Sequence, residues 1–222
     1  MKAGKLKGLL TLFLLIGPAF ILVFISTRGC SHNFRTLEHF GKLPSYSFKT
    51  IDGSTKTSKD FEGNVVLFTT IQKSCPSNCA ISFWHFDQLL YQQIRKNKKK
   101  MGHVRIVSFV VDSVGNPVND LADVAFALKE EVEQYDPKIW ILANGDPKQV
   151  YNITHNKFNL YEERGDKFYG KRAFTELLLL VDKSNDVRMV LNGSREGEVR
   201  RMREHMALLE KEYLKAKVKA KK

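Results

Sequence analysis

Three short apolar runs constrain this chain most: NVVLFTTI (Asn64–Ile71), HVRIVSFVV (His103–Val111) and KIWIL (Lys138–Leu142). Rich in β-branched residues, they read as strands buried within a sheet. Stretches of helical period lie between them. Ile81, Trp84, Phe86, Leu89, Leu90 and Ile94 mark a long helix from about Ser77 to Lys98, with cations gathered at its carboxyl end where the helix dipole favours them. Asn119 or Asp120 can cap a second helix running to about Gln134. Asp146-Pro147 starts another, Asp146 capping and Pro147 in first position. Upstream, LPSYSFKTIDGSTKT alternates apolar residues around Asp52-Gly53, a hairpin signal. Downstream, FTELLLLVDKSNDVRMVLNG reads as two strands joined at Lys183 to Asp186. A charged helix follows from about Arg195 to Lys215, with Val199, Met202, Met206 and Leu209 on one side. The order hairpin, βαβαβα, hairpin, α predicts an α/β fold: a central sheet with helices on both faces.

The amino terminus adds a different element. Lys2, Lys5 and Lys7 precede an apolar run from Leu9 to Ile25. At about 1.5 Å per residue the run reaches roughly 25 Å, enough for a thin bilayer. Thr27, Arg28 and Gly29 before Cys30 fit a signal-peptidase site poorly, so the run reads as an uncleaved transmembrane helix. Its basic side stays in the cytoplasm and the remainder is placed outside: a single-pass inner-membrane protein with its carboxyl-terminal domain on the periplasmic side, where thiols can be oxidised. The expected organisation is a cytoplasmic basic segment (1–8), the anchor (9–25), a linker (26–43), the α/β domain (44–214) and a basic tail (215–222). Cys30 reads as an unpaired juxtamembrane thiol.

The formal net charge is +12. The cations cluster at the amino terminus, in RKNKKK (Arg95 to Lys100) and in the tail LKAKVKAKK, not in one stripe studded with aromatic residues. A solvated helix end and a membrane-facing tail account for them, and no nucleic-acid partner is expected. The sequons Asn152-Ile-Thr154 and Asn192-Gly-Ser194 read as chance.

Two of the three cysteines, Cys75 and Cys79, stand in SCPSNC between the first buried strand and its helix. Sites in α/β sheets collect at such carboxyl ends of strands. At i, i+4 in a first helical turn the two thiols share a face. Free N–H groups at a helix start stabilise a thiolate, and Lys73 adds a nearby cation. Such a pair can exchange as a disulfide, or offer two soft thiolates to Cu(I). An inert pair of core cysteines is the third reading.

EGNVVLFTTIQKSCPSNCAISFWHFDQL resembles the Sco/SenC family, thioredoxin-fold copper chaperones whose pattern is a strand, Cys-Pro-x-x-Cys and a helix. VRIVSFVVDSVGNPVNDL is similar to the family's next strand and Asp-centred loop, and IWILANGDPKQV to the following strand, turn and helix. The resemblance implies a thioredoxin-like domain that delivers copper to, or reduces cysteines of, the copper centre of a terminal oxidase. A cytochrome oxidase subunit or assembly factor is then the expected partner. It assigns Cys75 and Cys79 the redox-active, copper-ligating positions. The family's third ligand is a histidine near the late hairpin; in KRAFTELLLLVD that position is Phe174, which offers no donor. Ser77 and Ala80 also depart from the family's frequent residues. His85 is rotated away from Cys79 along the helix, and His155 cannot be placed from sequence. Glu176 and Tyr169 are poor Cu(I) ligands. The dithiol is therefore read as a thiol–disulfide oxidoreductase site first and a copper site second, with a non-catalytic assembly adaptor as a further alternative.

Overall fold

The computed structural model describes residues 13, 16–25, 36–74, 83–113, 115–155, 158–159 and 176–219. The chain divides into two units, Met1–Arg35 and Thr36–Lys222. In the first, residues 16–25 are helical and Phe20, Ile21, Leu22, Val23, Phe24 and Ile25 are exposed. Residues 9–12, 14 and 15 of the expected span lie outside the described residues. Among the described residues no helix is long and apolar enough to cross a membrane.

The second unit is built on a six-stranded sheet. Its strands are β1 (Gly41–Lys42), β4 (Val65–Gln72), β5 (Val104–Val111), β6 (Trp140–Ala143), β9 (Leu177–Val181) and β10 (Asp186–Asn192), in the order β1-β10-β9-β4-β5-β6. β4, β5 and β6 are parallel; β9, β10 and β1 join antiparallel. The three apolar runs are thus the parallel heart of the sheet, as their two-sided burial requires. A hairpin of β2 (Ser47–Lys49) and β3 (Thr55–Thr57) turns at Asp52-Gly53, and β7 (Thr154–His155) pairs with β8 (Phe158–Asn159).

Side chains alternate between two cores. Val65, Leu67, Ile71, Ile106, Val110, Leu178 and Leu180 face one; Val66, Phe68, Val107, Phe109, Leu177 and Leu179 face the other. The first core is covered by helices. Phe83–Phe86 (α1) are α-helical, Asp87–Tyr91 form a π-helical turn, and Gln92–Lys96 (α2) and Lys98–Met101 (α3) follow. α4 (Ala122–Glu131) contributes Val124, Ala125 and Leu128. The β4-to-β5 and β5-to-β6 crossovers step the same way across the sheet, so a common right hand puts both sets of helices on one face. The second core is covered by Tyr46, Phe48 and Phe61 around the hairpin and by Val150 and Tyr151 of α5 (Lys148–Tyr151). Helices on both faces were expected; on this face the helix is a single turn whose N-cap is Pro147, one residue later than expected, with the Asp146 carboxylate accepting the Lys148 N–H (2.9 Å). Gly145 lies so close to β2 that a Cβ there would meet Phe48 Cβ at 2.8 Å and the Ser47 carbonyl at 3.2 Å.

The last helix, α6 (Glu196–Lys219), buries Val199, Met202, Met206 and Leu209, the four residues its pattern marked. Part of the expected linker belongs to this unit. β1 pairs with β10, and Leu37 is buried with its N–H donated to Glu212 Oε1 (2.8 Å). Arg188 fastens this corner: its guanidinium donates to Asp182 (3.0 Å), to Glu212 (2.8 Å) and to the carbonyls of Leu37 (3.0 Å) and Glu38 (3.2 Å).

Candidate dithiol site at the end of the central strand

β4 ends at Gln72, and the first described residue after Ser74, Phe83, is helical. Cys75 and Cys79 lie between these points and fall outside the described residues, as do Tyr169 and Phe174. What surrounds the segment is described, and it is the carboxyl edge of the three parallel strands.

On the strand side, Lys73 N–H donates to the Val111 carbonyl (2.8 Å), extending the β4–β5 ladder by one residue. Lys73 Nζ donates to Asp120 Oδ2 (2.8 Å) and pairs with Asp123 at 3.1 Å. Asp120 also accepts the Ala122 N–H (3.0 Å); the N-cap of α4 is the next residue, Leu121, and not Asn119 or Asp120 as expected. The Lys73 hydrogen bond, and after it that N–H, hold the Asp120 carboxyl below the usual carboxylate range, while Asp120 and then Asp123 push the Lys73 ammonium up. Lys73 was expected to lend its charge to the thiols. Cys75 and Cys79 lie outside the described residues; within them, Lys73 pairs with these two carboxylates and ties the end of β4 to α4. The Asp112 turn closes on itself: Asp112 accepts from Asn116 N–H (2.9 Å) and Nδ2 (3.1 Å).

On the helix side, Phe83 and Phe86 lock α1 into the first core. Phe86 sits 4.9 Å and Phe83 6.2 Å, ring to ring, from Trp140, whose indole N–H donates to Ser108 Oγ (2.8 Å). Trp84, expected on the apolar face, is 67% exposed, and Phe83 takes the buried place. The π-helical turn holds Asp87, whose carboxylate accepts from Gln92 Nε2 (2.7 Å) and Gln88 Nε2 (2.8 Å); burial pushes that carboxyl up against the pull of the two amides.

The remaining neighbours expected from sequence are engaged elsewhere. His85 Nε2 lies 3.5 Å from Glu196 Oε2 on α6. Glu176 Oε2 accepts from Asn192 Nδ2 (3.1 Å) and Ser194 Oγ (3.3 Å), and Asn192 N–H donates to Glu198 (3.1 Å). This network closes the end of the late hairpin, and it leaves Asn192 only 2% exposed, so its sequon is inaccessible. No sequence signal marks the Lys73, Asp120 and Asp123 cluster or the Glu176 network, since both join residues far apart in the chain. Among the described residues no three His, Cys, Asp or Glu side chains are placed to hold a metal. A cavity of about 480 Å³ opens between Ile51 and Asp52 of the hairpin tip, Arg105 at the start of β5, and Tyr135 and Lys138. It lies at the amino ends of the strands, opposite the cysteine-bearing edge.

A family model described as SCO1/SenC matches residues 36–208. No curated protein matches the chain. Among solved structures, a candidate protein disulfide isomerase from Bacteroides thetaiotaomicron superposes with a TM-score of 0.50 at 13% identity, over 80% of this chain and 95% of its own. BsSco, described as a member of the Sco family of cytochrome c oxidase assembly proteins with a disulfide switch, gives 0.47 at 15% identity, over 77% and 97%. Yeast Sco1 gives 0.48 at 15%, over 75% and 98%. The mixed α/β fold is thioredoxin-like.

Proposed function

This chain belongs to the SCO1/SenC family, and from that premise we propose that it is a membrane-anchored thiol–disulfide exchange protein acting through Cys75 and Cys79 in cytochrome c oxidase maturation. The observation that carries the reading is the frame around the cysteine segment: a buried central strand ending at Gln72 and core-locked helix described from Phe83 on, at the carboxyl edge of three parallel strands. A dithiol there meets solvent and partner on one side and a rigid scaffold on the other.

In the exchange, the Cys75 thiolate attacks one sulfur of a partner disulfide. That S–S bond breaks, a mixed disulfide forms, and the leaving partner thiolate takes a proton. Cys79, as thiolate, attacks the Cys75 sulfur and releases the second partner thiol. The partner gains two electrons and two protons, and the protein is left with a Cys75–Cys79 disulfide, which a thiol reductant must reopen. The partner would be an oxidase subunit or assembly factor, met on the periplasmic side of the inner membrane to which residues 9–25 tether the domain. Copper enters as cargo: the two thiolates suit Cu(I). Phe174 supplies no nitrogen donor, and the described His85 nitrogen faces Glu196.

The test is the full chain and its Cys75→Ser and Cys79→Ser variants, assayed against a disulfide-bonded oxidase subunit. Cys79→Ser should trap the mixed disulfide and Cys75→Ser should not react. Full reductase activity in Cys75→Ser would refute the assignment. Cu(I) stoichiometry on the reduced chain reads the cargo separately.

A further inference from the structure

We propose that the carboxyl-terminal end of α6 is a docking face for an anionic phospholipid surface. The buried residues of α6 run from Val199 to Leu209, and Tyr213 packs against the same core, its hydroxyl accepting the Lys183 N–H (3.2 Å) beneath the Lys183 ammonium. The helix continues to Lys219, and residues 214–219 are all exposed. A helix end with no core to cover would be expected to be polar all round. This one carries Leu214 and Val218, 59% and 60% exposed, one turn apart on a single face. At about 100° per residue, Lys211 and Lys215 flank that pair on one side and Lys217 on the other. An apolar stripe bordered by lysines on both sides matches the boundary between headgroups and acyl chains: Leu and Val enter it, and the lysine stems reach along it to the phosphates. An isolated acidic or nucleic-acid partner would match the lysines but leave the apolar pair unexplained.

A second observation places this face. The sheet unit begins at Thr36, and the Leu37 N–H donates to Glu212, with Arg188 bridging Glu212 to the Leu37 and Glu38 carbonyls. The lysine-bearing end of α6 therefore starts beside the point where the chain arrives from residues 9–25. In this respect the inference rests on the anchor proposed above. Tether and basic face would make the two-signal attachment that a weak membrane contact requires.

The test uses the full chain reconstituted into vesicles of phosphatidylcholine alone, or with about a third phosphatidylglycerol. Tryptic cleavage after Lys211 to Lys219 is followed by mass spectrometry and normalised to cleavage after Lys138, in the exposed loop before β6. We expect cleavage at the α6 end to slow about fivefold or more with phosphatidylglycerol. The protection should vanish in the double variant Leu214→Glu and Val218→Glu. Equal cleavage in both vesicles, or protection that survives the double variant, overturns the proposal. Flotation with phosphatidylcholine vesicles reads the anchor by itself. Should flotation fail, adding either vesicle type to the free protein still decides the α6 face by the same cleavage ratio.

Discussion

Replacing Arg188 with Met tests how the domain holds the segment through which it is tethered. The guanidinium is 6% exposed and paired with Asp182 (7%) and Glu212 (19%), besides the carbonyls of Leu37 and Glu38. Met fills much of the same space, so the loss is electrostatic and not a cavity. Removing one partner of a buried ion pair costs about 3–5 kcal/mol, because the other charge stays buried. Two observations favour the low end. Asp182 keeps the N–H groups of Ser184 (2.8 Å) and Asp186 (3.1 Å), and Glu212 keeps that of Leu37. A cost of about 3 kcal/mol in a domain of this size should lower Tm by about 6–12 °C. Thermal unfolding of the full chain by near-ultraviolet circular dichroism measures it, with Arg200→Ala as reference, since Arg200 belongs to an exposed i, i+4 pair with Glu196. That pair should be worth about 0.3–0.5 kcal/mol. Hydrogen exchange adds location: the Leu37 amide, and that of Phe40, which donates to Val187 (2.8 Å), should exchange faster in Arg188→Met before the core does. A Tm drop no larger than that of the Arg200 variant, or exchange raised uniformly, would sink the reasoning.

Three further outcomes are expected. Gly145→Ala should cost about 1–3 kcal/mol in denaturant unfolding, because the new methyl meets Phe48 Cβ and the Ser47 backbone rather than a flexible side-chain end. Phe86→Ala, emptying a site at 0% exposure against Trp140, should cost about 3–5 kcal/mol, whereas Trp84→Ala, at 67% exposure, should stay within about 0.5 kcal/mol. Lys73→Met should flatten the pH dependence of unfolding at both ends. Asp120 is held low in the folded state, so its contribution is present above its unfolded pKa of about 3.9 and is lost as pH falls through the folded value. Lys73 is held high, so its contribution is present below about 10.4 and is lost as pH rises through the folded value. A variant that keeps both slopes removes this ion pair from the account.

The parallel strands were legible because burial on both faces leaves an unmistakable apolar run, and α6 because four core residues recur at helical spacing over a polar background. β1 was not: Gly41–Lys42 carries no apolar signal, and only its pairing with β10 makes it a strand. Trp84 and Phe83 exchange roles because a uniform helical period was assumed across Asp87–Tyr91, where the helix is π-wound. Cys75 and Cys79 lie outside the described residues; what the sequence made legible there is the buried strand before them and the helix after them. The role of Lys73 was not legible, since charge counted along the chain says nothing of the two carboxylates that the fold brings to it from α4.

The π-helical turn has a further consequence. Such a turn holds one residue more than the α-helix it interrupts. If all the residues from Asp87 to Tyr91 were kept but wound as plain α-helix, everything before them would be rotated by about 100°. Phe83 and Phe86 would swing off Trp140, and Trp84 would turn with them. The segment bearing Cys75 and Cys79 is covalently continuous with that rotating end. The extra residue therefore sets which face of α1 the core receives, and a deletion within the turn should leave Phe83 and Phe86 on Trp140 while the turn reverts to plain α-winding.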